Sequence, residues 1–207
     1  MNNVKKNKSR QWLKEHLSDV YVKRSVKEGF RARAVYKLSE INLSYQIIKR
    51  NMTVIDLGAA PGSWSEYAVR EVGKGGRVIA LDLLPIRQLS GVETIQGDFN
   101  DGQVVVRLLS SLSGRKVDVV LSDMAPNLSG NKIVDQVKSC QLAEAALDFT
   151  RQVIKPGGSF LIKVFQGIGF DEFFEKISQS FGVTKTIKPD ASRNRSSEVF
   201  LLARKFK

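Results

Sequence analysis

Residues 54–64 read VIDLGAAPGSW, and the architecture of the chain follows from this stretch. The apolar run VIDL has strand character, Gly58 and Gly62 enclose Ala-Ala-Pro, and a helical pattern follows from about Ser63 to Val72. A strand that enters a glycine turn and leaves as a helix opens a βαβ unit, the building block of a parallel sheet. The alternation continues along the chain. MTVIDL, RVIALDL, VETIQ, VDVVLSD and SFLIKVF are short apolar runs, with helical segments expected over about 63–72, 102–112 and 135–154. After a further helix over about 171–180, GVTKTIK and SSEVFLLAR flank the polar turn PDASRNRSS, which predicts a hairpin-like end. The expected fold is therefore α/β: a doubly wound, mostly parallel sheet of seven strands with the last strand antiparallel.

At 207 residues and 42% hydrophobic content, the chain suits one good core and is too short for two large domains. No apolar run approaches the roughly 20 residues that cross a bilayer, and no secretory-type start is present, so a cytoplasmic location is expected. Cys140 is the single cysteine and His16 the single histidine. Disulfides, Cys/His zinc sites and a Ser-His-Asp triad in the body of the chain all lack their parts, and no metal ligand set is expected. His16 reads as a surface residue and Cys140 as a small near-core one.

Thirty-three Lys and Arg against 21 Asp and Glu leave a net charge of +12. Residues 1–50 hold 13 of the basic and 4 of the acidic residues, so +9 of that charge lies in the first quarter of the chain. A basic lobe on a nearly balanced body is the footprint of a nucleic-acid binder, because Lys and Arg on phosphates release condensed counterions. Residues 1–30 are expected to form a basic, partly disordered, RNA-contacting extension, and residues 31–207 a single domain. Lys23, Arg24, Lys27, Arg31 and Arg33 are the residues expected to reach phosphates. Trp12, Tyr21 and Phe30 lie among them and could stack on bases, although core packing is the better reading for Phe30 and Tyr36.

In a doubly wound sheet, ligands bind at the carboxyl ends of the strands. The glycine turn after the first strand lacks the G-x-G-x-x-G spacing of dinucleotide sites, so it fits a compact ligand without a pyrophosphate. Asp82 ends the second strand, where an acid hydrogen-bonds ribose hydroxyls. Asp98 ends the third, placed to accept from an adenine amino group, and Asp123 ends the fourth in LSDMAPN. A glycine loop followed by three strand-end acids reads as an S-adenosylmethionine (SAM) site. Gly58, Ala59, Pro61, Gly62 and Trp64, with Asp82, Asp98 and Asp123, are its expected residues.

Two lysines are misplaced. Lys163 sits inside SFLIKVF, and Lys37 falls in the apolar stripe Ala34, Leu38, Ile41, Tyr45, Ile48 of a helix expected from Arg31. One buried charge is an accident, while several that converge indicate a site.

These motifs bring a family into view. From WLKEHLSDVYV and FRARAVYKL through DLGAAPGSWS, DLLP, QGDF, SDMAPNLSG and PGGSFLIKVFQG to KPDASRNRSSEVF, nearly the whole chain resembles the FtsJ/RrmJ family of SAM-dependent ribose 2'-O-methyltransferases. The likeness is strongest to its bacterial members that methylate a uridine in the A-loop of 23S ribosomal RNA in the large subunit. Ser63 stands where the family carries a second glycine. The resemblance implies a Rossmann-like class I methyltransferase fold, SAM as cofactor, ribosomal RNA as partner and a monomer. It also implies a catalytic Lys-Asp-Lys-Glu tetrad at Lys37, Asp123, Lys163 and Glu198. Burial and a nearby second cation both disfavour an ammonium, which offers a route to one neutral lysine acting as general base. Lys163, oriented by Asp123, is the expected base.

Three other readings compete. A transfer-RNA or cap 2'-O-methyltransferase of the same fold would share the tetrad and differ in RNA docking. A non-catalytic RNA-binding module would keep the basic lobe but would not need two lysines and a glutamate in apolar surroundings. An NAD-dependent oxidoreductase is disfavoured by the absent third glycine.

Overall fold

Strand β1 (Thr53–Leu57) runs through the interior of the sheet and delivers the chain to Gly58 at its carboxyl end. The computed structural model describes residues 18–127, 129–193 and 196–207. Trp12, His16 and the polar start over 1–10 lie outside these residues.

Before β1 come helices α1 (Val20–Lys27) and α2 (Val35–Tyr45). Helix α2 is shorter than the expected 31–48. Its N-terminal approach makes i to i+3 turns onto Ala32 and Arg33, and Gln46 at φ 50° ends it in the left-handed region. Ile47 and Ile48 are still buried, so the apolar pattern continued after the helix had stopped.

After β1 follow α3 (Ser63–Val72), β2 (Arg77–Asp82), β3 (Val92–Gln96), α4 (Gly102–Ser111) and β4 (Val117–Ser122). Helix α5 (Lys132–Val153) starts three residues before the expected Asp135, because the Asn131 side chain accepts from the main-chain nitrogens of Ile133 and Val134 and caps it. Strand β5 (Ile154–Phe165) is longer than SFLIKVF, pairing at Ile154 with Val117 before the register shifts and resumes at Ser159 opposite Val119. Helix α6 (Phe170–Ser180), β6 (Phe181–Ile187) and β7 (Glu198–Phe206) complete the chain.

The seven strands lie in the order β3-β2-β1-β4-β5-β7-β6. Strands β1 to β5 run parallel to one another, and β7 is antiparallel to both β5 and β6. The last strand thus inserts beside β5 and leaves β6 at the edge.

Each face of the sheet carries its own core. On one, Ile55, Leu57, Phe160 and Ile162 pack with α4, α5 and α6; on the other, Val54, Leu161, Phe200 and Leu202 pack with α2 and α3 through Leu38, Ile41, Trp64 and Ala68. Leu38 is fully buried, and truncating such a side chain to alanine costs about 2–5 kcal/mol. Side chains alternate along a strand, so Lys163 shares the second face with Leu161, and Glu198 shares it with Phe200. That face carries the site.

Candidate active site

The carboxyl ends of β1 to β4 border a cleft of about 720 Å³, within the usual range for small-molecule sites. Gly58, Ala60, Asp82, Asp98, Phe99, Asp123, Met124 and Leu142 are among its lining residues. Gly58 must be glycine here: its φ is +76°, and a Cβ would stand 2.7 Å from the Met124 main-chain nitrogen. The β1–α3 turn thus presses against the segment carrying Asp123. Gly62 also takes positive φ, at the start of α3.

Asp82 braces this turn. Its Oδ2 accepts from the Ala60 nitrogen at 2.8 Å, and its Oδ1 from the Leu84 nitrogen at 2.8 Å. Asp98 is exposed and accepts from the Asn100 backbone and side chain. Ala59, Pro61 and Gly62 share the β1–α3 turn with the cleft-lining Gly58 and Ala60, and the side chain of Trp64 belongs to the core. Its indole nitrogen donates to the Ala34 carbonyl at 2.8 Å and its ring packs on Phe200. Ala60, Lys138 and Gln141 line the cleft and carried no sequence signal for it.

The four charges from distant stretches form two ion pairs. Lys163 Nζ donates to the Asp123 main-chain oxygen at 2.7 Å and lies 2.9 Å from Asp123 Oδ1. The second contact has ion-pair distance without hydrogen-bond direction, so Oδ1 is buried and lacks a directed donor. Lys37 Nζ donates to Glu198 Oε1 at 2.6 Å and lies over the Phe200 ring, which stands opposite Lys163 in the β5–β7 ladder. Burial pushes the Glu198 carboxyl up, but the charge and hydrogen bond of Lys37, the charge of Lys163 and the Ser192 hydroxyl outweigh it and hold the group below the ordinary glutamate value. Each ammonium has its own carboxylate, so the two cations suggested by the sequence are separately compensated.

A fifth charge went unremarked in the sequence. Asp56 of β1 is fully buried; its Oδ2 accepts from Ser65 Oγ at 2.6 Å and its Oδ1 has no partner. Burial pushes its carboxyl up to about 7 against the lowering effect of Ser65, with the charges of Asp123 and Asp82 adding to the rise. The signal was the one that exposed Lys163, an ionisable residue inside an apolar strand.

A family model described as FtsJ-like methyltransferase matches residues 30–206. The chain belongs to this family. Curated relatives include the ribosomal RNA large subunit methyltransferase E of Acinetobacter baumannii, 57% identical over 194 residues that cover 94% of this chain and 90% of that protein. The Acinetobacter baylyi enzyme of the same name is 56% identical over the same shares. Among solved structures, a Plasmodium falciparum protein described as a ribosomal RNA methyltransferase superposes with a TM-score of 0.75 at 30% identity, covering 86% of this chain and 98% of that one. A Clostridium thermocellum protein at 15% identity and TM-score 0.56 shares the fold, covering 83% and 97%.

In this FtsJ-like methyltransferase, the basic lobe is more structural than its composition implied. Asp19 caps α1, accepting from Tyr21 and Val22, and also pairs with Arg33. Arg33 donates as well to the Ala191 carbonyl, and Arg31 to the carbonyls of Pro61, Arg87 and Gln88. Both guanidiniums, expected to reach phosphates, are engaged by protein acceptors. Lys23 and Lys27 are exposed, as is Arg24, which pairs with Glu28 and stacks over Tyr36. Tyr36 is buried, and Phe30 packs edge-on against it at 6.1 Å, so neither ring is a free stacking platform.

Proposed function

We propose that the protein methylates the ribose 2'-hydroxyl of a uridine in the A-loop of 23S ribosomal RNA, within the large subunit, using SAM and acting as a cytoplasmic monomer. The observation that carries this reading is the placement of Asp123, which lines the cofactor cleft and at the same time holds Lys163. The relatives named for large-subunit ribosomal RNA favour that substrate over transfer RNA or a messenger cap.

The cleft fits a cationic nucleoside. Asp82, Asp98 and Asp123 would repel the pyrophosphate of a dinucleotide, whereas they complement an ammonium, a sulfonium and ribose hydroxyls. Phe99, Met124 and Leu142 supply apolar walls for a base. SAM supplies there an electrophilic methyl group on positive sulfur.

The remaining chemistry belongs to the chain. Lys163 must first give up its ammonium proton to solvent; its free amine then accepts the hydroxyl proton, and Asp123 stabilises the ammonium that re-forms through its carbonyl and carboxylate. Lys37 and Glu198 flank the ribose, their mutual pairing fixing both side chains. Lys23, Arg24 and Lys27 hold the RNA backbone.

The test uses large subunits from cells lacking the gene, incubated with the protein and methyl-labelled SAM, followed by mapping of 2'-O-methyl positions. One new position in the A-loop is expected. Parallel incubations with transfer RNA and capped RNA complete the test, and label in either of these with the large subunit unlabelled would overturn the assignment.

A further inference from the structure

The guanidinium of Arg31 closes on three main-chain carbonyls. Nη1 donates to Pro61 O at 3.0 Å and to Arg87 O at 2.7 Å, and Nη2 donates to Gln88 O at 2.8 Å. Pro61 belongs to the β1–α3 turn, one residue beyond the cleft-lining Ala60. Arg87 and Gln88 belong to the connection after β2, residues 83–90, which contains neither helix nor strand. Arg31 therefore fastens one cofactor loop to the other.

The fastening has an inner counterpart. On the cleft side, Asp82 joins the same two loops through the nitrogens of Ala60 and Leu84. Between the clasps the loops are in contact: a Cβ on Gly62 would stand 2.8 Å from Leu89 and 3.4 Å from Arg31 Nη1. Connections without a ladder open locally at little cost, so a loop that must keep Leu83 and Leu84 at the cleft wall needs an external tie.

We propose that Arg31 is a positioning residue for the cofactor: its guanidinium fork holds the β1–α3 and β2–β3 loops together and so preorganises the cleft. The proposal rests on the reading of that cleft as the SAM site. A planar fork can serve three carbonyls at once, and a lysine ammonium on a different stem cannot copy it, so charge and geometry can be separated by substitution.

The test compares Arg31→Ala and Arg31→Lys with the wild type, using S-adenosylhomocysteine as the titrated ligand. Both variants should weaken binding about tenfold, the loss of two to three charge-assisted hydrogen bonds shared between loops being partly offset by water. Their KM for SAM should rise by more than kcat falls, and amides at 86–90 should exchange faster while those of β1 and β5 do not. The salt dependence of RNA binding should keep the wild-type slope. An Arg31→Lys protein that binds S-adenosylhomocysteine like the wild type would overturn the proposal. So would an Arg31→Ala protein whose salt slope drops by about one with ligand affinity unchanged, since that identifies a phosphate contact. Failure of the wild type to bind S-adenosylhomocysteine would overturn the cofactor reading instead, and local exchange at 86–90 would then decide the clasp by itself.

Discussion

Lys37 and Glu198, 161 positions apart, meet at 2.6 Å between α2 and the first residue of β7. Their side chains are only 16% and 14% exposed, so each is the other's principal compensation. Removing one partner leaves a charge in a poorly hydrated place.

Glu198→Gln should therefore destabilise the fold by about 1–3 kcal/mol, because the Lys37 ammonium keeps its burial and loses its counter-charge. Urea unfolding at neutral pH measures this. A midpoint equal to that of the wild type would mean that the pair contributes nothing net.

The pH dependence of that pair has a defined sign. Glu198 is held below the ordinary value of 4.5, so its contribution is complete above about pH 4.5 and is lost as pH falls through the lower folded-state value. The stability gap between wild type and Glu198→Gln should shrink on acidification below that point. A gap that widens there reverses the assignment.

Asp56 has the opposite sign. Its carboxyl is raised from 3.8 to about 7 in the fold, so the stability associated with its neutral form is complete below pH 3.8 and is lost as pH rises toward 7. Asp56→Asn should gain on the wild type across that window, by an amount on the order of 4 kcal/mol at pH 7 and above. Parallel denaturation curves from pH 4 to 8 decide it, and a constant difference between the two proteins would show that Asp56 titrates normally.

Lys163→Ala should lower kcat by about 10²–10⁴-fold, the range for a general base, while S-adenosylhomocysteine affinity stays near that of the wild type. Single-turnover methylation with saturating RNA separates chemistry from binding. Near-normal turnover would remove Lys163 from the proton transfer.

Replacing Lys23 or Lys27 by alanine should each reduce the slope of log affinity against log salt by about 0.7–0.9, with little effect on folding. Arg33→Ala should do the reverse, because its guanidinium is engaged by Asp19 and Ala191. Filter binding across a salt series distinguishes the two behaviours.

The strand and helix order, the glycine turn after β1, the strand-end acids and the misplaced lysines were all legible in the sequence. These are local matters: side-chain periodicity follows backbone geometry, and Gly58 is required by a single φ and a single close contact. It took the folded chain to insert β7 between β5 and β6, to turn the Trp64 side chain to the core, and to set Arg31 and Arg33 against protein carbonyls. The fold also assigned the partners, Lys163 to Asp123 and Lys37 to Glu198. An arginine or a lysine carries the same charge wherever it stands, and what it binds depends on which distant acceptors the folded chain brings within about 3 Å.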